Sequence, residues 1–125
     1  MIRNWMVCIA LAAAGPLVMA QTAAKPFIGN WKVEWQTDKQ TYSADMEVGE
    51  TGGSWKTATM SRNNPCFGRK VPLKYNSATE DSLDITLMFS EVITGCNNAS
   101  VKLKVDDRGV VSGKRSGYEL QMKRE

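Results

Sequence analysis

The sequence predicts one all-β domain, an antiparallel up-and-down barrel of about eight strands or a flattened form of it, with a two-sheet sandwich as the alternative. Two observations predict this fold class. Apolar and polar residues alternate with a period of two in most segments beyond residue 26, which is typical of half-buried strands. Short stretches rich in Gly, Asp, Ser and Asn separate these segments, and connections this short join neighbouring antiparallel strands.

Each predicted strand has one apolar face. The first strand begins at Phe27 and alternates through Trp31, Val33 and Trp35, with polar residues between them. Segments 54–60 and 109–114 alternate less regularly than the others. From the second strand onward the predicted inward residues are Tyr42, Ala44, Met46 and Val48; Trp55, Thr57 and Thr59; Val71, Leu73 and Tyr75; Leu83, Ile85, Leu87 and Phe89; Val101, Leu103 and Val105; and Tyr118, Leu120 and Met122.

Aromatic side chains dominate the predicted interior. An eight-stranded barrel is just wide enough for its own side chains or for one small ligand. We interpret the aromatic residues as core filling, with an aromatic ligand cavity as the alternative. They are Trp31, Trp35, Trp55, Phe89, Tyr42, Tyr75 and Tyr118.

Residues 1–20 predict a secretory signal peptide. Arg3 precedes an apolar run from Trp5 to Ala14, and after a Gly15-Pro16 break Val18-Met19-Ala20 precede the predicted cleavage site. Cleavage there leaves a flexible N-terminal segment, 21–26, and a single domain, 27–125. The expected location is the periplasm or the extracellular space. No later stretch approaches the roughly 18 apolar residues of a membrane-spanning helix, so no membrane span is predicted.

Cys66 and Cys96 are the two cysteines that follow the predicted signal peptide, and we expect them to form a structural disulfide. Their spacing is not that of a redox C-x-x-C motif, and the chain has no histidine, so neither a metal site nor a cofactor is predicted. Successive loops of a meander alternate between its two ends, which puts both cysteines at the same end. Closing a loop of about 31 residues stabilises the fold by about 3.5 to 4 kcal/mol in the chain-entropy model.

The same alternation of loops sorts the charged residues between the two ends. The acidic end carries Glu50, Glu80, Asp81, Asp84, Asp106 and Asp107, with Arg108. The end with the cysteines carries Lys39, Arg62, Arg69, Lys70, Lys114 and Arg115, with Asp38 and Glu91. A basic end favours an anionic partner, which we expect to be a small molecule, a glycan or a protein.

The loop around Cys66 is the densest candidate binding segment. Pro65 restricts the preceding residue to an extended backbone, and Gly68 permits a turn that other residues would strain. Amide groups and guanidinium forks in these loops are suited to carboxylate or phosphate ligands. The candidate binding residues are Arg62, Asn63, Asn64, Phe67, Arg69, Lys70, Asn97, Asn98 and Arg115; a purely structural corner is the alternative.

The residue types argue against an enzyme. Without histidine no Ser-His or Cys-His nucleophile pair can form, and both remaining cysteines are expected to be paired. Glu34 and Glu47 fall on the outer faces of their strands, which is unsuited to a glycosidase pair. Neither a Gly-rich phosphate loop nor a basic stripe interleaved with aromatics is present, so nucleic acid is not an expected partner.

Four ordered motifs look like those of a family of small exported proteobacterial proteins, a family without an assigned activity. They are Gly29-Asn30-Trp31; Thr51-Gly52-Gly53-Ser54-Trp55-Lys56-Thr57; Asn63-Asn64-Pro65-Cys66-Phe67-Gly68-Arg69; and Phe89-Ser90-Glu91 with Gly95-Cys96. The leader, the Gly-x-Trp motif and one disulfide are also similar to the periplasmic inhibitors of secreted metalloproteases, and Gly-x-Trp opens the lipocalin and avidin barrels. The inhibitor resemblance implies that segment 21–26 enters a protease cleft.

Three functions therefore remain open. The leading hypothesis is a non-enzymatic exported binding module whose basic end holds an anionic ligand or a protein. The alternatives are a periplasmic protease inhibitor and a surface-exposed interaction protein or antigen without a small ligand.

Overall fold

In a computed structural model, which describes residues 24–58 and 64–125, the chain forms a closed barrel of antiparallel strands joined in sequence order. The last strand pairs with the first and closes the ring. This confirms the up-and-down barrel, and the closed ring rules out the sandwich alternative. The strands are β1 (Gly29–Gln36), β2 (Thr41–Val48), β3 (Gly53–Thr57), β4 (Lys70–Ala78), β5 (Ser82–Leu87), β6 (Ala99–Val105), β7 (Val111–Arg115) and β8 (Tyr118–Arg124).

The period-two alternation produces the core as expected. In β1, Trp31, Val33 and Trp35 are buried, while the residues between them are exposed. In β5, Leu83, Ile85 and Leu87 are buried in the same way. Burying each large apolar side chain contributes roughly 1.5 to 3 kcal/mol, so this alternation supplies most of the driving force for closing the barrel.

The prediction that the first strand begins at Phe27 is wrong. Residues Lys25–Phe27 form a 3-10 turn, in which the Ile28 amide donates to the Lys25 carbonyl at 3.3 Å. Pro26 favours this turn because its ring fixes φ and it has no N–H to offer a strand. Phe27 is still fully buried, since the turn folds its ring into the barrel.

The prediction that Phe89 lies in the fifth strand is also wrong. The strand ends at Leu87, and Phe89–Val92 form a single helical turn, α1, closed by a 2.9 Å hydrogen bond from Ile93 to Phe89. The Met88 amide still donates to the opposite Pro72 carbonyl at 3.0 Å, but the β4–β5 pairing ends there because Pro72 has no N–H to return a bond. Phe89 remains buried and covers one end of the barrel.

The predicted third strand, 54–60, is confirmed only in part. β3 runs Gly53–Thr57, with Trp55 and Thr57 buried as predicted. Thr59 and Met60 lie outside the described residues.

The two cysteines meet at one end of the barrel, as strand order predicts. Cys66, in the β3–β4 connection, is bonded to Cys96, in the β5–β6 connection, with the two Cα atoms 5.8 Å apart. We call this the disulfide end; the β1–β2 and β7–β8 turns also lie there. At the opposite end of the barrel, which we call the terminal end, β1 begins and β8 finishes.

Part of the predicted N-terminal segment 21–26 is attached to the terminal end. Ala24 is buried, and the Pro26 carbonyl accepts a 2.8 Å hydrogen bond from Arg124. Residues 21–23 lie outside the described part of the chain.

Candidate binding site at the disulfide end

A row of four aromatic side chains crosses the disulfide end. Phe67 meets Tyr42 edge to face with ring centres 5.8 Å apart, and Tyr42 stacks on Trp35 at 5.5 Å. Trp35 in turn lies 5.6 Å from Trp55. The two tryptophans are buried, whereas Tyr42 and Phe67 are half-buried, so the row leads from the rim of the barrel into its core.

Strand register and the disulfide loop place these rings. Trp35 and Tyr42 are directly opposite each other in the β1–β2 pair, which brings their rings together on the inner face. Phe67 reaches Tyr42 because the disulfide anchors the preceding residue and the Gly68 amide donates to the Thr57 carbonyl at 2.8 Å. Gly68 has φ +82°, which confirms its expected role in the turn.

Arg115 points into the barrel beside this row. It ends β7, in a position that shares the inner face with Val111 and Gly113, and is paired with buried Val101. Its guanidinium carbon lies 5.0 Å from the centre of the Trp35 ring and 6.0 Å from that of Trp55. The positive charge therefore lies over two π-faces. We call the opening that Arg115 shares with Phe67, Tyr42, Trp35 and Trp55 the mouth of the barrel.

No carboxylate of the chain neutralises Arg115. All 13 Asp and Glu residues lie within 24–58 and 64–125, and none is within 4.0 Å of this guanidinium. Its Nε is buried and has no hydrogen-bond partner among the described residues. Burial lowers the pKa of the Arg115 guanidinium from its ordinary value, and only the negative charge that Tyr42 would carry opposes this. The side chain is thus a half-buried cation with an unused donor.

Two of the predicted binding residues use their amide oxygens for local structure. The Asn64 Oδ1 accepts a 3.0 Å hydrogen bond from the Cys66 amide, and the Asn98 Oδ1 accepts one of 2.9 Å from the Ser90 amide. Each side chain therefore stabilises a turn of the disulfide-linked loops. Their NH₂ groups remain the parts that a ligand can use.

The remaining predicted residues are spread over the surface. Arg69 and Asn97 are exposed in the two disulfide-linked connections. Lys70 is exposed at the start of β4 opposite Lys56, where it lines a cleft of about 340 Å³ on the outer face of the sheet. Arg62 and Asn63 lie outside the described residues.

The structure thus brings Phe67 and Arg115 of the predicted set to one aromatic mouth. Sequence reasoning placed Trp35, Tyr42 and Trp55 in the core and kept an aromatic cavity only as the alternative. The signal that could have joined them to Arg115 is the weak alternation of β7, whose positions 111, 113 and 115 share the inner face. Alternation counted backwards from the turn at Gly117 would have assigned Arg115 to the inner face.

Among residues 24–58 and 64–125 no helix is both long enough and apolar enough to cross a membrane. In the same part of the chain no three or more His, Cys, Asp or Glu residues are grouped so that they could hold a metal ion. Comparison with known proteins gives no matching family model, no matching curated protein and no matching solved structure.

Proposed function

We propose that this protein is a non-enzymatic binding module that works outside the cytoplasm and holds an anionic ligand, or an anionic group of a protein, at the disulfide end. The observation that carries the proposal is the Arg115 guanidinium, half-buried against Trp35 and Trp55 without a carboxylate partner. Proteins usually pair a cation that they remove from water, because desolvating it is costly. A bound anion would provide the missing partner.

The chemistry of the mouth supports a carboxylate or a phosphate group as the ligand's anchor. A guanidinium presents its donors as a planar fork that matches two oxygens at once. The neighbouring aromatic rings exclude water, which strengthens the attraction between opposite charges. Phe67 and Tyr42 offer apolar area at the rim for whatever the anion is attached to.

Two features support export as part of this proposal. The Cys66–Cys96 disulfide is of a kind that persists in oxidising compartments. Residues 1–20 have the charge and apolar pattern of a signal peptide. N-terminal sequencing of the protein purified from the periplasm or the medium tests this part, because an intact Met1 would contradict cleavage.

Tryptophan fluorescence provides a direct test of the anion site, because Arg115 lies over two indole rings. Folded protein is titrated with inorganic phosphate and with benzoate at constant ionic strength, and we expect a saturable change in emission with at least one of them. Arg115→Met should abolish that change, and Arg115→Lys should weaken it, since lysine keeps the charge but loses the fork.

Lys114→Met is the matched control. It removes one positive charge from the adjacent residue, whose side chain is exposed on the outer face of β7, and should leave the titration unchanged. Equal loss in Lys114→Met and Arg115→Met would overturn the proposal, because the effect would then be one of net charge. An unchanged emission with both anions would overturn it as well.

A further inference from the structure

The strand β8 pairs with each of its neighbours over only part of its length. Its pairs with β7 join Tyr118–Leu120 to Gly113–Arg115, and its pairs with β1 join Gln121–Arg124 to Trp31–Glu34. At the disulfide end, residues 35–36 of β1 are therefore not paired with β8, and residues 118–120 of β8 are not paired with β1. The barrel is closed, but its β1–β8 seam opens at this end.

A cleft of about 510 Å³ lies at the open seam. Its walls include Glu34 and Gln36 from β1 and Tyr118, Glu119 and Gln121 from the β8 side. The cleft adjoins the Arg115 mouth, because Trp35 lines both, but Arg115 itself does not line the cleft. Two strands that diverge in this way leave a stretch of sheet edge at which an added chain can pair.

The charge of the cleft is negative. Glu34 and Glu119 are exposed on its walls, and neither forms a salt bridge with a residue that the structure describes. No lysine or arginine lines it. Tyr118, at 44% exposure, is one of the two large apolar side chains that are exposed to solvent among the described residues. An aromatic ring beside two carboxylates suits a cationic side chain with an apolar stem.

We propose that this seam is a docking site for an extended, lysine- or arginine-bearing segment of a partner protein, which binds as an added β-strand. Backbone hydrogen bonds to the open edge at 35–36 and 118–120 fix the segment's direction, and alternate side chains reach the outer face. On that face the cationic groups meet Glu34 and Glu119. Tyr118 shares the other face of β8 with Leu120, so its ring contacts a residue on the opposite side of the added segment. The open edge is two to three residues long, about 7 to 10 Å, so the paired part of the segment is short.

The test uses a nine-residue peptide of alternating Thr and Lys with blocked termini, added to the folded protein labelled with ¹⁵N. We expect amide shifts confined to residues 35–36 and 117–121 and slower hydrogen exchange at the edge amides. The double variant Glu34→Gln with Glu119→Gln should weaken binding by about threefold to tenfold, the range expected for two exposed ion pairs. A circular dichroism spectrum identical to that of the wild type shows that this variant is folded.

Two controls separate strand pairing from simple charge attraction. Glu50→Gln with Glu80→Gln removes the same charge from exposed turn residues at the terminal end and should leave binding unchanged. A second peptide, in which Pro replaces each Thr, keeps the charge but lacks those N–H donors. Equal affinity of the two peptides, an equal effect of the two double variants, or no binding of the Thr-Lys peptide would each overturn the proposal.

Discussion

The guanidinium carbon of Arg124 lies 4.2 Å from the centre of the Trp31 ring, and the two residues together hold three consecutive backbone carbonyls. Arg124 donates to Pro26 and to Ile28, each at 2.8 Å, while the Trp31 indole N–H donates to Phe27 at 2.9 Å. These bonds join the last strand to the turn that precedes the first one. They close the terminal end of the barrel over the buried Phe27 ring.

Replacing this arginine should destabilise the barrel. Arg124→Met loses two charge-assisted hydrogen bonds and the contact with Trp31, and because the side chain is exposed we expect a loss of about 1 to 2 kcal/mol in the free energy of unfolding. Urea denaturation measures it. Lys123→Met, a neighbour on the outer face of β8, should change stability by less than about 0.5 kcal/mol. Equal losses in the two variants would show that the bonds to Pro26 and Ile28 contribute little.

Gly29 should resist substitution for a related reason. Its φ is +141°, a conformation that residues with a side chain rarely adopt, and an added Cβ would lie 2.7 Å from the Arg124 Nη1. We expect Gly29→Ala to cost about 1 to 3 kcal/mol of unfolding free energy. Gly52→Ala is the control, since a Cβ there meets only the Leu73 carbonyl oxygen at 3.6 Å. A Gly29→Ala protein as stable as Gly52→Ala would contradict this account of the Gly-x-Trp motif.

Arg115 also contacts tryptophans, yet its substitution should have the opposite effect on stability. Its Nε has no partner among the described residues and no carboxylate offsets its charge. Desolvation of the guanidinium therefore lowers the free energy of unfolding. Arg115→Met should therefore leave the free energy of unfolding unchanged or raise it by up to about 1 kcal/mol, as substitutions at binding sites often do. A loss as large as that of Arg124→Met would assign Arg115 a structural role instead.

Much of this fold is predictable because period-two alternation needs only one buried face per strand. Trp31, Val33 and Trp35 identify β1 without any tertiary information, and loop order puts Cys66 and Cys96 at one end. Phe27 and Phe89 show where alternation fails. Each continues the apolar pattern of a neighbouring strand, but the backbone is not in the strand. Pro26 favours a turn before β1, and the β4–β5 pairing ends opposite Pro72, which has no N–H, while both rings still face the core.

The candidate site was less predictable, because its residues are distant in sequence and play ambiguous parts. An arginine near a turn is usually solvated, and only the closed barrel shows that Arg115 lies over Trp35. Asn64 and Asn98 show the converse, since each looked like a ligand group and its amide oxygen serves a turn. The partial pairing of β8 depends on the register of all eight strands around the closed barrel, which no local sequence pattern encodes.

Tyr75 should make stability depend on pH in the alkaline range. Its hydroxyl donates to the Gly49 carbonyl at 2.7 Å and lies 3.1 Å from that of Gly52, and burial raises the pKa of Tyr75 to about 12 from 10.0. The unfolded chain loses this proton first, so the stabilisation is complete below pH 10 and is lost as the pH rises towards 12. Because the side chain is only half-buried, the effect is on the order of 1 kcal/mol.

Tyr75→Phe tests this assignment through urea unfolding at a series of pH values from neutral to strongly alkaline. At neutral pH the variant should be less stable by about 1 kcal/mol, since the Gly49 carbonyl loses its donor. The difference from the wild type should then shrink as the pH rises above 10, because only the wild type has this hydroxyl to lose. Tyr118→Phe, at the opposite end, removes a hydroxyl that makes no hydrogen bond with the described residues and should leave the stability at neutral pH unchanged. A difference between Tyr75→Phe and the wild type that stays constant as the pH rises would mean that the Tyr75 phenol titrates alike in the folded and unfolded chains.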